Sequence, residues 1–413
     1  MFLFFYNLFL FIFSPVLLSL LFLRAIIKKK NFKFYLKRLY FQRESPVKAV
    51  HFHGVSVGEI LSLKTLIEKV KERNCNITIS VGTSSGFSTA KKKYSSGAHK
   101  IFPAPFELLF SIKSFLKNLE PSVFIVAEAE FWLNLYYFLK KRDIPIWIVN
   151  FRLGNEKNYK RFSFYYKKVF SLVDIFFVPE KRYADFLKSF GVDNDKIVLT
   201  GNLKADIEFK EISEEEKNKI KENLKIDKKR RVLVCGSTTE GEEELILKVF
   251  EKYKKGWQLI IAPRHIERSE YILKMIKEKT ELKASLKTEL SSEYDVLILN
   301  TIGELFNVYS IGDLAFVGGS LKPVGGHNVL EPIFHKVPTL TGNHYENFKD
   351  IVEKLKESKG IEILKKADDF EIFLNKEEKE LIELGIRGFK ALEKMRGGVK
   401  KILEKMEEKG IKC

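Results

Sequence analysis

Cysteine is scarce. The 413 residues hold three, Cys75, Cys235 and Cys413, far apart and without a CxxC pair. Such spacing gives neither a zinc site nor a disulfide framework, and it suits a reducing compartment. Histidine is also thin, seven residues with no His-x-x-x-His pattern, so no metal is expected. Neither GxGxxG nor a P-loop occurs, which disfavours dinucleotide and ATPase chemistry. No internal repeat or low-complexity tract stands out. Acidic residues are outnumbered, 54 against 72 Lys and Arg, for a net charge of +18. The lysines are scattered rather than gathered in one arm, which argues against nucleic acid as the partner. A membrane-tethered binder of acidic polymers would use this charge but leaves the motifs below unexplained.

The largest absence is local: Met1–Leu23 contains no charged residue at all, and cations follow at Arg24, Lys28, Lys29 and Lys30. An apolar helix of that length can just cross a hydrocarbon core of about 30 Å. Cations on its downstream side keep the rest of the chain cytoplasmic, and no small-residue site closes the run as in a cleaved signal peptide. Residues 1–27 are therefore expected to be an uncleaved membrane anchor, spanning or monotopic. The basic surface would add attraction to anionic headgroups, about 1 kcal/mol per nearby cation.

The remainder is too long for one core. Near-continuous apolar runs at Ala49–Ser56, Ile77–Gly82, Val123–Ala127, Ile144–Asn150, Ile175–Val178 and Ile197–Thr200 read as buried parallel strands. Helical stretches separate most of them, including Gly58–Glu72. After a charged segment, 208–230, the alternation restarts at Arg231–Cys235, Gln258–Ala262, Val296–Leu299, Leu314–Val317 and Pro338–Leu340. This predicts two doubly wound α/β domains, 28–207 and 208–375, with a cleft between them. A helical, charged tail, 376–413, is placed to pack back on the first domain.

In such sheets ligands bind where strands end and helices begin, and the chemistry-bearing residues fall there. His53-Gly54-Val55-Ser56-Val57-Gly58-Glu59 follows the first strand. Ser56 and Glu59 fit a capping box; equally, Glu59 at a cleft can serve as general base. Glu128-Ala129-Glu130 follows a buried strand, where carboxylates are costly unless at its mouth. Gly318-Gly319-Ser320 and Gly325-Gly326-His327-Asn328-Val329-Leu330-Glu331 are glycine-rich turns whose amides can meet an anion, with Glu331 placed for a ribose diol. Pro263-Arg264-His265 ends another strand, and Arg264 is a natural phosphate clamp or a surface cation paired with Glu267. Lys204, Arg152 and the Gly303-Glu304 turn are weaker singly.

Taken in order, these motifs resemble the Kdo transferases, which add 3-deoxy-manno-octulosonic acid to a lipid A precursor. The resemblance runs from the anchor to about residue 360 and includes Gly201-Asn202-Leu203-Lys204-Ala205-Asp206 and Gly303-Glu304-Leu305. It implies a GT-B architecture, two Rossmann-like domains facing a cleft, the first for the lipid acceptor and the second for CMP-Kdo. It implies Glu59 as base and Glu128 and Lys204 as supports of the transition state. Pro263, Arg264, Ile302, Gly303, Glu304, Asn328, Val329, Leu330 and Glu331 become CMP-binding elements. Ser56, Gly58, Arg152, His265, Gly319, Ser320 and Gly326 are further candidates. The family inverts the anomeric centre without a metal or other cofactor, at the cytoplasmic face of the inner membrane. Departures include Ala129, Phe131 and Leu133 in the carboxylate motif and Val329 where proline is usual. They leave the carboxylates in place. A GT-B enzyme using another nucleotide sugar is the nearest alternative.

Overall fold

The computed structural model describes residues 1–27, 31–41, 45–154, 156–207 and 210–411. The chain divides into two compact units, Met1–Glu208 with Arg396–Cys413, and Phe209–Met395. Each is built on one parallel seven-stranded sheet.

The first sheet contains β1 (Lys48–Gly54), β2 (Ile77–Val81), β3 (Lys100–Pro103), β4 (Glu120–Ala127), β5 (Ile146–Val149), β6 (Ile175–Val178) and β7 (Ile197–Leu199). Its order is β3-β2-β1-β4-β5-β6-β7, every pair parallel. The second contains β8 (Arg231–Thr238), β9 (Trp257–Pro263), β10 (Ala284–Leu286), β11 (Val296–Ile298), β12 (Leu314–Val317), β13 (Thr339–Gly342) and β14 (Glu362–Leu364). Its order is β10-β11-β9-β8-β12-β13-β14, again parallel throughout. The direction of winding reverses between β1 and β4 in the first sheet and between β8 and β12 in the second. Loops leaving these strands diverge there and open a crevice at their carboxyl ends.

The central strands form because they are covered on both faces. Val123 to Ala127 and Leu314 to Phe316 are completely buried, as a sheet flanked by helices on both sides requires. The three strands without a counterpart in the sequence reading, β3, β10 and β14, are short and sit at sheet edges. Half-covered edge strands need no continuous apolar run, so they leave little trace. The helix expected over 58–72 is broken at Leu63 into α3 (Val57–Ser62) and the helix Lys64–Glu72.

The charged tail forms two helices rather than one. Glu378–Met395 belongs to the second unit and Gly398–Glu408 to the first. Gly397, at φ 99°, makes the break. Val399, Ile402, Leu403 and Met406 then pack into the first unit's core, and the buried Asp206 carboxylate caps this last helix, accepting N–H bonds from Gly397 (2.5 Å) and Val399 (2.6 Å).

At the N-terminus, α1 (Phe2–Ile27) is apolar from Phe2 to Leu23 and, among the described residues, is the one helix long and apolar enough to cross a membrane. The short helix α2 (Phe32–Leu39) follows it. Cys235 is a buried free thiol. Cys75 is disulfide-bonded, which corrects the reading of a chain without a disulfide: sequence spacing does not show which sulfurs meet in space.

Candidate active site

In the first unit, the residues singled out after β1 and β4 come together at the reversal of winding. Ser56 caps α3, its Oγ accepting the Glu59 N–H at 3.2 Å. The Glu59 carboxylate reaches back, accepting Val55 N–H and Ser56 O–H bonds, each at 2.7 Å. The capping role expected of Ser-x-x-Glu is thus real, and Glu59 carries more besides. Its carboxyl is held above the ordinary carboxylate range, chiefly by burial and with a contribution from the Glu128 charge, against the hydrogen bonds that lower it.

Glu128 follows directly from β4. Its N–H donates to Val149 O at 2.9 Å, and its backbone sits in the left-handed region at φ 57°. An unbranched residue held in that conformation is uncommon and turns its side chain away from the strand's normal alternation. Lys204 Nζ lies 3.9 Å from Glu128 Oε1, with both side chains mostly sheltered. The short 3-10 turn carrying Lys204 is fixed by Asn202, whose Oδ1 accepts the Lys204 N–H, and by Asn150, whose Oδ1 accepts the Leu203 N–H. Glu130 accepts a bond from Trp132 Nε1 at 3.1 Å. Burial and the Glu59 and Glu128 charges push its carboxyl up to about 7. Three carboxylates and one ammonium therefore share this edge. Gly58 lies in the first turn of α3, with no atom closer to an added Cβ than Ser56 Oγ at 3.9 Å. Arg152 is half-buried, just past the end of β5.

In the second unit the predicted residues again surround the carboxyl ends of central strands. Arg264 follows Pro263 at the end of β9, its N–H donating to Thr238 O at 2.9 Å. It is exposed and makes no ion pair among the described residues; His265, not Arg264, stands near Glu267, at 3.4 Å. Glu331 opens the helix Leu330–Phe334 and accepts from Asn328 Nδ2 at 3.1 Å. Burial raises its carboxyl, while Asn328 and the Arg264 charge pull it down. Ile302 is 82% exposed at the tip of the turn after β11, beside Gly303 at φ 90°. The Glu304 carboxylate is engaged: burial raises it, but Lys287 Nζ at 2.7 Å and the Thr301 hydroxyl outweigh that and hold it below the usual range.

The sequence pattern points the amides of the Gly318–Ser320 turn at an outside anion, but in the fold they are occupied from within. Glu242, fully buried, accepts N–H bonds from Gly319 (2.7 Å), Ser320 (2.9 Å), Leu321 (2.9 Å) and Thr239 (2.8 Å), and the Thr239 hydroxyl as well. Gly318 must be glycine, since a Cβ would sit 2.7 Å from Thr238 Cα and 2.9 Å from Glu242 Oε2. Ser320 Oγ is also internal, donating to Val317 O and accepting from Gly342 N–H. The Gly326 N–H goes to Gly319 O at 2.7 Å. Gly319, Ser320 and Gly326 therefore shape the site without donating to it. The amides of His327, Asn328 and Val329 donate to no acceptor among the described residues. They precede the helix bearing Glu331, where a phosphate would gain from the helix dipole.

Glu242 was absent from the sequence-derived candidates. Its signal was there, a run of three glutamates at a strand-to-helix junction, but the partner amides lie in a distant part of the chain. Among the described residues no cluster of three or more His, Cys, Asp or Glu could hold a metal ion.

The family model for 3-deoxy-D-manno-octulosonic-acid transferase matches residues 29–207. A 3-deoxy-D-manno-octulosonic acid transferase from Haemophilus influenzae is 31% identical over 87% of this chain and 86% of its own length. A bifunctional glycosyltransferase/methyltransferase from Fusobacterium nucleatum is 33% identical over 80% of this chain, which spans about half, 53%, of that longer protein. Among solved structures, UDP-GlcNAc 2-epimerase from Neisseria meningitidis, 14% identical, covers 88% of this chain and 100% of its own with a TM-score of 0.55, a likeness of fold in the GT-B class. The chain belongs to the 3-deoxy-D-manno-octulosonic acid (Kdo) transferases and is a glycosyltransferase.

Proposed function

We propose that the enzyme moves Kdo from CMP-Kdo to a hydroxyl of a lipid A precursor with inversion, Glu59 acting as general base. The observation that carries this reading is the grouping at the β1/β4 crevice: Glu59 with its raised carboxyl, Glu128 on strained backbone, and Lys204 beside it. A base works best when its affinity for protons approaches the operating pH, and burial moves Glu59 in that direction. In the proposed step Glu59 takes the proton of the acceptor hydroxyl, the oxygen forms the new bond to the anomeric carbon, and the bond to the CMP phosphate breaks with its electron pair on phosphate.

The second unit would hold CMP. The uncommitted Arg264 and the free amides of His327–Val329 supply positive potential to the phosphate as its charge grows. Glu331, already oriented by Asn328, faces the ribose hydroxyls. The Ile302–Glu304 turn meets the base. No metal is assigned a role. Through α1 the enzyme attaches to the inner membrane at its cytoplasmic face, the side favoured by the cations after the apolar run, and its excess positive charge suits an anionic surface.

The test uses detergent-purified full-length chain with CMP-Kdo and tetra-acylated lipid A precursor, the lipid product weighed by mass spectrometry. A gain of one or more Kdo units is expected. No gain, with CMP still bound, would move donor or acceptor elsewhere within the family.

A further inference from the structure

The helix α1 makes contact with the first unit at both ends. Near its start, Phe2, Leu3 and Tyr6 pack on the core beside β4 to β6. The Phe2 ring meets Phe164 edge-on at 5.3 Å between centroids, and Tyr6 lies against Tyr165 at 5.9 Å. Asn7 and the buried Asn134 exchange amide hydrogen bonds, Asn7 Nδ2 to Asn134 Oδ1 at 3.1 Å and Asn134 Nδ2 to Asn7 Oδ1 at 2.8 Å. Asn134 is itself fixed by Glu107, which accepts its N–H at 2.5 Å. Toward the other end, Phe22 meets Phe32 (5.4 Å) and Tyr35 (6.4 Å) of α2. That helix is pinned to the unit by the buried Arg38, which donates to Ala104 O and Gly82 O, each at 2.8 Å, and by Phe34 against Phe87.

Sixteen residues separate Tyr6 from Phe22, about 24 Å of helix at 1.5 Å per residue. A helix crossing the bilayer away from its domain leaves one end remote from it. Here both ends are held. Between them Leu3, Asn7, Leu10, Ser14, Leu18 and Leu21 form a partly shielded stripe at three- and four-residue spacing, the mark of one helix face turned to a neighbour. The polar residues Asn7 and Ser14 lie on that stripe, and Phe4, Phe9, Phe11, Val16 and Leu20 face outward, all more than half exposed.

We infer that α1 lies lengthwise along the first unit and enters the membrane sideways, as an in-plane helix within one leaflet, leaving Met1 on the same side as the enzyme body. The inference rests on the membrane attachment proposed above and specifies its geometry. The partner is an anionic lipid surface. Exposed Phe164 (61%), in edge contact with Phe2, continues the apolar face. Exposed cations accompany it: Lys33 and Lys37 on α2, and Lys160 and Arg161 just before Phe164. Apolar groups at acyl depth with cations at headgroup depth is the pattern of monotopic helices.

The test places one protease-cleavable tag before Met1, which is 98% exposed, and another after the C-terminus. Sealed membranes of both orientations are prepared from expressing cells, and each is treated with protease. The expected result is flotation with membranes and cleavage of both tags in the same orientation. Flotation with the two tags cut from opposite faces overturns the in-plane geometry and leaves membrane attachment standing. A chain that fails to float, sedimenting instead as a dimer covered by a second copy, overturns both.

Discussion

Replacing Glu242 by Gln tests whether the glycine turn after β12 is held from inside. The carboxylate accepts five hydrogen bonds, three at Oε2 from Thr239 N–H, Thr239 O–H and Gly319 N–H, and two at Oε1 from Ser320 and Leu321 N–H. Glutamine has the same shape, but one oxygen becomes an NH2. Whichever way the amide turns, it points donors at donors and loses at least two charge-assisted bonds. At about 1.5–3 kcal/mol each, the loss comes to roughly 3–6 kcal/mol. A domain of this size shifts by about 2–4 °C per kcal/mol, so its melting transition should fall by roughly 6–24 °C. Differential scanning calorimetry reads this directly, with each transition fitted separately because a chain of two units need not melt as one. A variant whose transitions all stay within about 2 °C of the parent, on the same scale, would refute the internal role and return those amides to an outside anion.

Further outcomes follow from the same geometry. The Glu130 carboxyl is raised to about 7 by burial and by Glu59 and Glu128, against about 4.3 in an unfolded chain. Its stabilising contribution is therefore full below about pH 4 and lost as pH rises through 7. Glu130→Gln should flatten that decline and gain roughly 2 kcal/mol over the parent at pH 8, discounted for partial exposure, in urea melts across pH. An unchanged pH slope would contradict the shift. Asp206→Ala removes the cap of the helix Gly398–Glu408, two short bonds to Gly397 and Val399. It should cost about 1–3 kcal/mol and speed amide exchange in that helix first; uniform exchange would count against it.

Much of this was legible in the sequence, for a physical reason. Strands buried on both faces must be apolar throughout, so β4, β5, β6 and β12 announced themselves. The edge strands β3, β10 and β14 carried no such demand. Glu59, Glu128, Lys204, Arg264 and Glu331 stood out because charged residues beside buried strands need a purpose. The sequence did not reveal which partners they would take. Glu242 fills the very turn that seemed open to a ligand, and only the fold brings its carboxylate to Gly319. The Asn7–Asn134 pairing that lays α1 along the first unit is equally a matter of tertiary contact. So is the disulfide at Cys75.

The proposed transfer depends on Glu59 accepting the proton of the acceptor hydroxyl. Glu59→Gln tests it most directly, because glutamine can still accept the Val55 N–H bond and donate to Ser56 Oγ, so α3 keeps its cap. Single-turnover transfer from CMP-Kdo to the lipid precursor should slow by on the order of 10²–10⁴, the usual worth of a positioned base, with CMP affinity and melting temperature unchanged. A folded variant that transfers Kdo at the parental rate would remove Glu59 from that role.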